Sequence, residues 1–71
     1  MDRYSVIYTR HSDGWSADVP DAPATTASGA TVAETRQAVR AALGRLLAVD
    51  PWDVDLEELV DAGESRYARL A

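Results

Sequence analysis

An α+β domain, with a three- to four-stranded antiparallel sheet packed by one main helix, is the fold this sequence predicts, and three observations predict it. Two segments, Tyr4 to His11 and Trp15 to Val19, alternate with a period of two and are joined through Ser12-Asp13-Gly14. A loop punctuated by Pro20 and Pro23 follows them. A long run with helical periodicity then opens at Thr31. The order of elements is β-β-β-α-β, with a short helical tail.

In the first strand Tyr4, Val6 and Tyr8 alternate with Ser5, Ile7 and Thr9, so one face is aromatic and aliphatic and the other mixed. Asp13-Gly14 is a hairpin signal because both residues tolerate the positive φ angles of tight turns. Trp15, Ala17 and Val19 then form the apolar side of a second strand, which places Trp15 in the core. The prolines cannot donate backbone hydrogen bonds and confine their segment to a loop. A third strand is expected at Thr25 to Ser28, favoured by the paired threonines.

The helix is expected from Thr31 to about Val49. Thr31 and Glu34 form a capping-box pattern, in which hydroxyl and carboxylate satisfy backbone donors orphaned at a helix start. Val32, Ala38 or Val39, Ala42, Leu43, Leu46 and Leu47 recur at helical spacing, with Glu34, Arg36, Gln37, Arg40 and Arg45 left for the wet side. Gly44 either weakens the helix by about 1 kcal/mol relative to alanine or marks close packing on the sheet. Asp50-Pro51 ends the helix. Beyond it Trp52, Val54 and Leu56 alternate as a strand would, while Val54 to Val60 also suits a short helix. The reading adopted is a fourth strand near Trp52 to Leu56, with Trp52 docked in the core, then a helical turn to about Ala62. Gly63 breaks this segment, and Tyr67 and Leu70 let the tail dock, on a second subunit for instance.

The chain of 71 residues reads as a single domain, 1–71, with a core over 3–62 and a tail over 63–71. A chain of this size buries only about 60% of its unfolded surface, so self-association is expected. Cysteine is absent, which excludes disulfides, a thiol nucleophile and cysteine-based zinc sites, and His11 is the single histidine. No apolar run approaches the roughly 18 residues of a membrane span, and Met1-Asp2-Arg3 leads into a strand rather than a signal peptide, so a cytoplasmic location is the default. The net charge of −5 comes largely from Asp50, Asp53, Asp55, Glu57, Glu58, Asp61 and Glu64, against which the same region sets Arg66 and Arg69. Nucleic-acid binding is disfavoured, because phosphate contacts need a basic footprint. A basic protein partner suits the charge, although carboxylates also serve simply to hydrate a surface. Scarce lysine beside abundant alanine and arginine fits a GC-rich bacterial genome.

Catalysis is not expected. His11 lies near Ser12, Asp13 and Ser16, but polar residues belong at a hairpin, and no glycine-rich elbow accompanies them. Glu57 and Glu58 are adjacent, which directs them apart on a strand and only partly together on a helix. The four glycines stand alone at positions 14, 29, 44 and 63, so a phosphate-binding loop is missing. No metal or cofactor is expected.

One resemblance organises these features. The tyrosine-containing first strand Tyr4-Ser5-Val6-Ile7, Asp13-Gly14 before Trp15, Val19-Pro20-Asp21-x-Pro23, and Gly29-x-Thr31-x-x-Glu34 opening the helix together resemble the N-terminal domain of HicB-type antitoxins, from bacterial HicA/HicB toxin-antitoxin modules. The likeness covers residues 3 to about 49. It implies a fold like a partial double-stranded-RNA-binding domain, assembly into dimers or larger oligomers, and a binding role: masking a small basic HicA-like ribonuclease with acidic and aromatic groups. The groups available for that interface are Trp15, Asp18 and Asp21, helped by Asp53, Asp55, Glu57 and Glu58. The chain departs from the family in the loop, where Ala22-Pro23-Ala24-Thr25 replaces a frequent Leu-Pro-Gly-Cys. Many members also append a DNA-binding module, and a complete one is not expected to fit in the roughly twenty residues after the helix, a stretch that is acidic overall. The alternative is an orphan HicB-like oligomeric scaffold or small-ligand-binding module without a toxin.

Overall fold

The structure is a computed structural model and describes residues 3–63 and 66–70. Met1, Asp2, Glu64, Ser65 and Ala71, and with them Glu64's part in the acidic run and the ends of the expected tail, lie outside the described residues.

Five strands, β1 (Arg3–His11), β2 (Gly14–Asp18), β3 (Ala27–Gly29), β4 (Asp55–Gly63) and β5 (Arg66–Arg69), form one sheet in the order β3-β2-β1-β4-β5. One helix, α1 (Val32–Leu47), packs on it. The α+β class therefore holds, but the sheet has five strands rather than three to four, and it is mixed rather than antiparallel. β1 pairs antiparallel with β2 and parallel with β4, from Arg3 opposite Asp55 to Tyr8 opposite Val60. Parallel neighbours need a long crossover connection, and α1 provides it between β3 and β4.

The hairpin between β1 and β2 turns at Ser12-Asp13, with His11 opposite Gly14. Gly14 opens β2 at φ 146°, and a Cβ there would lie 2.5 Å from the Gly29 carbonyl oxygen of β3, so glycine is required twice over. The proline loop folds into a 3-10 turn, Pro23–Thr25, whose Thr25 hydroxyl donates to the Ala22 carbonyl at 2.7 Å. That turn takes Thr25 out of the expected third strand, which is confined to Ala27–Gly29.

The Thr31 side chain caps α1, accepting from the Glu34 N–H at 3.1 Å. The Glu34 carboxylate reaches back to the Ala30 N–H at 3.0 Å, one residue before the cap. The helix ends in a Schellman turn, with Val49 N–H donating to Gly44 O at 2.9 Å and Ala48 N–H to Arg45 O at 3.4 Å. Gly44 is buried against the returning chain, since a Cβ would meet Val49 O at 2.9 Å and Pro51 at 3.3 Å. Its close packing is thus on residues 49–51 and not on the sheet.

Asp50 then caps a second 3-10 turn, Pro51–Asp53, accepting from the Trp52 N–H at 2.9 Å. Trp52 sits in this turn, 79% exposed, so its expected place in a strand and in the core is overturned. The geometric reason is that Pro51 and the Asp50 cap hold the turn outside the sheet, and pairing with β1 starts only at Asp55. From there period-two patterning continues through Asp61, and β1's free side supplies ladder partners, so a strand replaces the expected helical turn to Ala62. Within the tail, Arg66–Arg69 form a strand as well. β5 pairs antiparallel with β4, with an irregularity between Asp61 and Gly63.

The core lies between sheet and helix. Val6, Tyr8, Ala17, Val19, Val39 and Leu43 are buried with Ala22 and Val54. Tyr4, Trp15, Leu56 and Leu70 pack half-buried around them, so Trp15 lines the core without being enclosed by it. Leu46 and Leu47, expected on the helix's buried stripe, are exposed at its last turn.

Candidate functional site

Strand alternation divides the sheet into two chemically different faces. Toward α1 point Tyr4, Val6 and Tyr8 of β1 and their partners Ala17 of β2 and Leu56, Glu58 and Val60 of β4. The opposite face carries Arg3, Ser5, Ile7 and Thr9 of β1. Its register neighbours are Ser16 and Asp18 of β2, Asp55, Glu57, Leu59 and Asp61 of β4, and Tyr67 and Arg69 of β5. No helix among the described residues covers this open face.

One row crosses four strands through the register pairs Asp18–Ile7, Ile7–Leu59 and Leu59–Arg69. Half-buried Ile7 and Leu59 therefore form an apolar centre with a carboxylate at one end and a guanidinium at the other. Tyr67, 54% exposed, stands beside it. On one side of this row Asp55 pairs with Arg3 at 3.2 Å. Glu57 accepts from the Ser5 hydroxyl and from Arg69, each at 3.2 Å. Asp61 accepts from the Gly63 N–H at 2.8 Å. Four carboxylates against two arginines leave the open face acidic, and Asp18 makes no ion pair among the described residues.

The sequence-predicted interface residues divide accordingly. Asp18, Asp55 and Glu57 share the open face. Asp21 and Asp53 are exposed in the turns after β2 and after α1. Trp15 and Glu58 face the helix and belong to no common surface with the others. For Glu58 the register with Val6 decides this. Its carboxylate accepts the Tyr8 hydroxyl at 2.5 Å and the Arg36 Nε–H at 2.6 Å, tying β4 to β1 and α1. Burial alone would raise the Glu58 carboxyl, but hydrogen bonds from Arg36 and Tyr8 and the charges of Arg36 and Arg40 outweigh it and hold the group below its ordinary value. Burial, reinforced by the hydrogen bond to Glu58, pushes the Tyr8 phenol well above its ordinary value. The hydrogen bond to Glu58 likewise raises the Arg36 guanidinium. This triad is a charged clamp inside the fold.

Sequence reasoning missed Ile7, Leu59, Asp61 and Tyr67 as members of the open face. Ile7 on the mixed side of β1 was the available signal, but the β4 residues could be assigned a face only once their parallel register was known.

At the hairpin end, a cavity of about 210 Å³ is lined by His11, Asp13, Trp15, Ser16, Ser28 and Gly29 among others. His11 Nε2 and Ser16 Oγ lie 2.7 Å apart there, and Asp13 is not among the hydrogen-bond partners of His11. No group of three or more potential metal ligands occurs among the described residues. None of their helices is long and apolar enough to cross a membrane.

No family model matches the chain, and no curated protein or solved structure matches it.

Proposed function

We propose that this chain is a HicB-like, antitoxin-type binding protein, partly similar in fold to a double-stranded-RNA-binding domain, that masks a small basic HicA-like mRNA interferase in the cytoplasm. The open sheet face is the docking surface. The observation that carries the reading is that face itself: Asp18, Asp55, Glu57 and Asp61 surround half-buried Ile7 and Leu59 and exposed Tyr67. An RNA-cleaving partner concentrates Lys and Arg where phosphates bind, and an acidic face with an apolar centre is complementary to such a surface. Carboxylates at the rim accelerate association, while the buried apolar and aromatic groups hold the complex. Glu58 is withdrawn from the interface because its charge is committed to Arg36 and Tyr8.

The test is recovery of partners on the tagged chain from its native lysate, followed by an RNA-cleavage assay. The expected result is a small basic ribonuclease that the chain suppresses. D18K and E57K should each weaken that suppression about tenfold, as for charged groups across an interface. Recovery of the chain alone, as a discrete oligomer, would transfer the reading to an orphan HicB-like scaffold.

A further inference from the structure

The end of the helix carries a surface that neither the core nor the open sheet face uses. Four of the exposed large hydrophobics, Leu46, Leu47, Val49 and Trp52, fall between residues 46 and 52. Trp52 is the most exposed of them, yet its backbone is firmly held. Asp50 caps its N–H at 2.9 Å, and Arg40 donates to the carbonyls of Pro51 at 3.4 Å and Val54 at 2.8 Å. Tryptophan is among the side chains enriched as interface anchors, and here it projects from a fixed backbone. Beside it Gln37, Arg40, Ala41, Pro51 and Trp52 line an open hollow of about 190 Å³.

The charges around this hollow select its occupant. Gln37, Ala41 and Arg45 succeed one another at four-residue spacing and form one stripe of α1, with exposed Arg45 one turn beyond the hollow. Exposed Asp50 and Asp53 flank Trp52. The surface thus holds a knob, a hollow, two cations (Arg40 and Arg45) and two anions (Asp50 and Asp53) in close succession, a balance that lets it complement itself. In a two-fold contact each residue pair forms twice, so Trp52 of each copy would enter the hollow of the other, stacking beside the Trp52 that forms one of its walls, while Asp53 would face Arg45. Two chains of net charge −5 repel one another overall, and only a locally balanced surface lets them approach.

We infer that the Trp52 turn and the Gln37–Ala41–Arg45 stripe of α1 form an isologous interface between two copies of this chain, leaving both open sheet faces free. One turn and one helical stripe per copy place such a contact toward the low end of specific interfaces, so a Kd of about micromolar or weaker is expected. It stands independently of the toxin-masking reading, because D18K and E57K lie elsewhere and should leave it unchanged.

Sedimentation equilibrium from about 5 to about 500 µM tests it, with circular dichroism checking that each variant is folded. The wild type should dimerise, W52A should weaken the dimer at least tenfold, and R45D and D53R should each weaken it. The double exchange R45D/D53R should restore affinity to within about threefold of wild type, as reciprocal charge reversal requires. In a W15F variant, where Trp52 is the sole tryptophan, fluorescence should shift to the blue with concentration. A chain monomeric over this range, a dimer indifferent to W52A, or a double exchange as weak as the single variants would overturn the inference.

Discussion

Glu58 shows how much one side chain can hold when a strand aims it inward. Its neighbours Glu57 and Leu59 face outward, but the pairing with Val6 turns Glu58 toward the helix, where it meets Tyr8 and Arg36. Its side chain retains 20% exposure, so water offsets part of the burial cost. E58Q removes the charge that partners Arg36 and should destabilise the fold by about 1–3 kcal/mol, read by urea denaturation. The folded-state carboxyl titrates below its ordinary value of 4.5, so its stabilising contribution is complete above that pH and is lost as pH falls through the lower folded value. The acid limb of the wild-type stability profile should therefore be steeper than that of E58Q. Tyr8 behaves in the opposite sense. Its phenol is raised above 10, so its contribution is complete below that pH and lost on further alkalinisation.

Among the elements, α1 directs the chain beyond it through the geometry of its own C-terminus. Ala48 occupies the left-handed region at φ 57°, where an L side chain costs roughly 1 kcal/mol and glycine almost nothing. A48G should therefore raise stability by about 1 kcal/mol, a gain in Tm of about 4–8 °C by calorimetry for a domain of this size. Gly44 has the reverse logic. Alanine would gain about 1 kcal/mol of helix propensity, but its Cβ would strike the Val49 carbonyl, and overpacking against backbone costs about 1–3 kcal/mol. G44A should accordingly lower Tm or leave it unimproved. Both effects arise from the same device: the Schellman turn brings Val49 to Pro51 back across the helix and fixes where Trp52 emerges. The helix itself was legible in the sequence because capping and periodicity are local. Trp52's exposure was not, because alternation with Val54 and Leu56 describes a turn running into a strand as well as it describes a strand.

Across the whole molecule, β1 is the central element, with antiparallel β2 on one side and parallel β4 on the other. Its amides should be the slowest to exchange with deuterium. Those of β5, an edge strand whose four residues are all exposed, should be among the fastest of the strands. A β5 amide as protected as β1 in the monomer would contradict this topology. The two faces of the sheet divide the labour: one makes the core with α1, and the other presents Asp18, Glu57, Ile7 and Leu59 outward. The proposed interface residues were named from charge and resemblance, yet only the register separated Asp18, Asp55 and Glu57 from Glu58.

Elements with short-range signals were specified by the chain alone. These are the hairpin at Asp13-Gly14, the alternation of β1 and β2, the capped helix from Thr31 and its end before Asp50-Pro51. Three-dimensional packing was needed for the rest: the parallel seat of β4 beside β1, the strand character of Asp55 to Gly63 and of the tail, and the face to which each carboxylate belongs. The difference lies in how each choice is stabilised. A cap or a tight turn is satisfied by residues within four positions of one another. By contrast, β4 takes its seat in the sheet from β1, some fifty residues earlier in the chain, as Tyr8 is from Glu58, and its other edge is completed by β5.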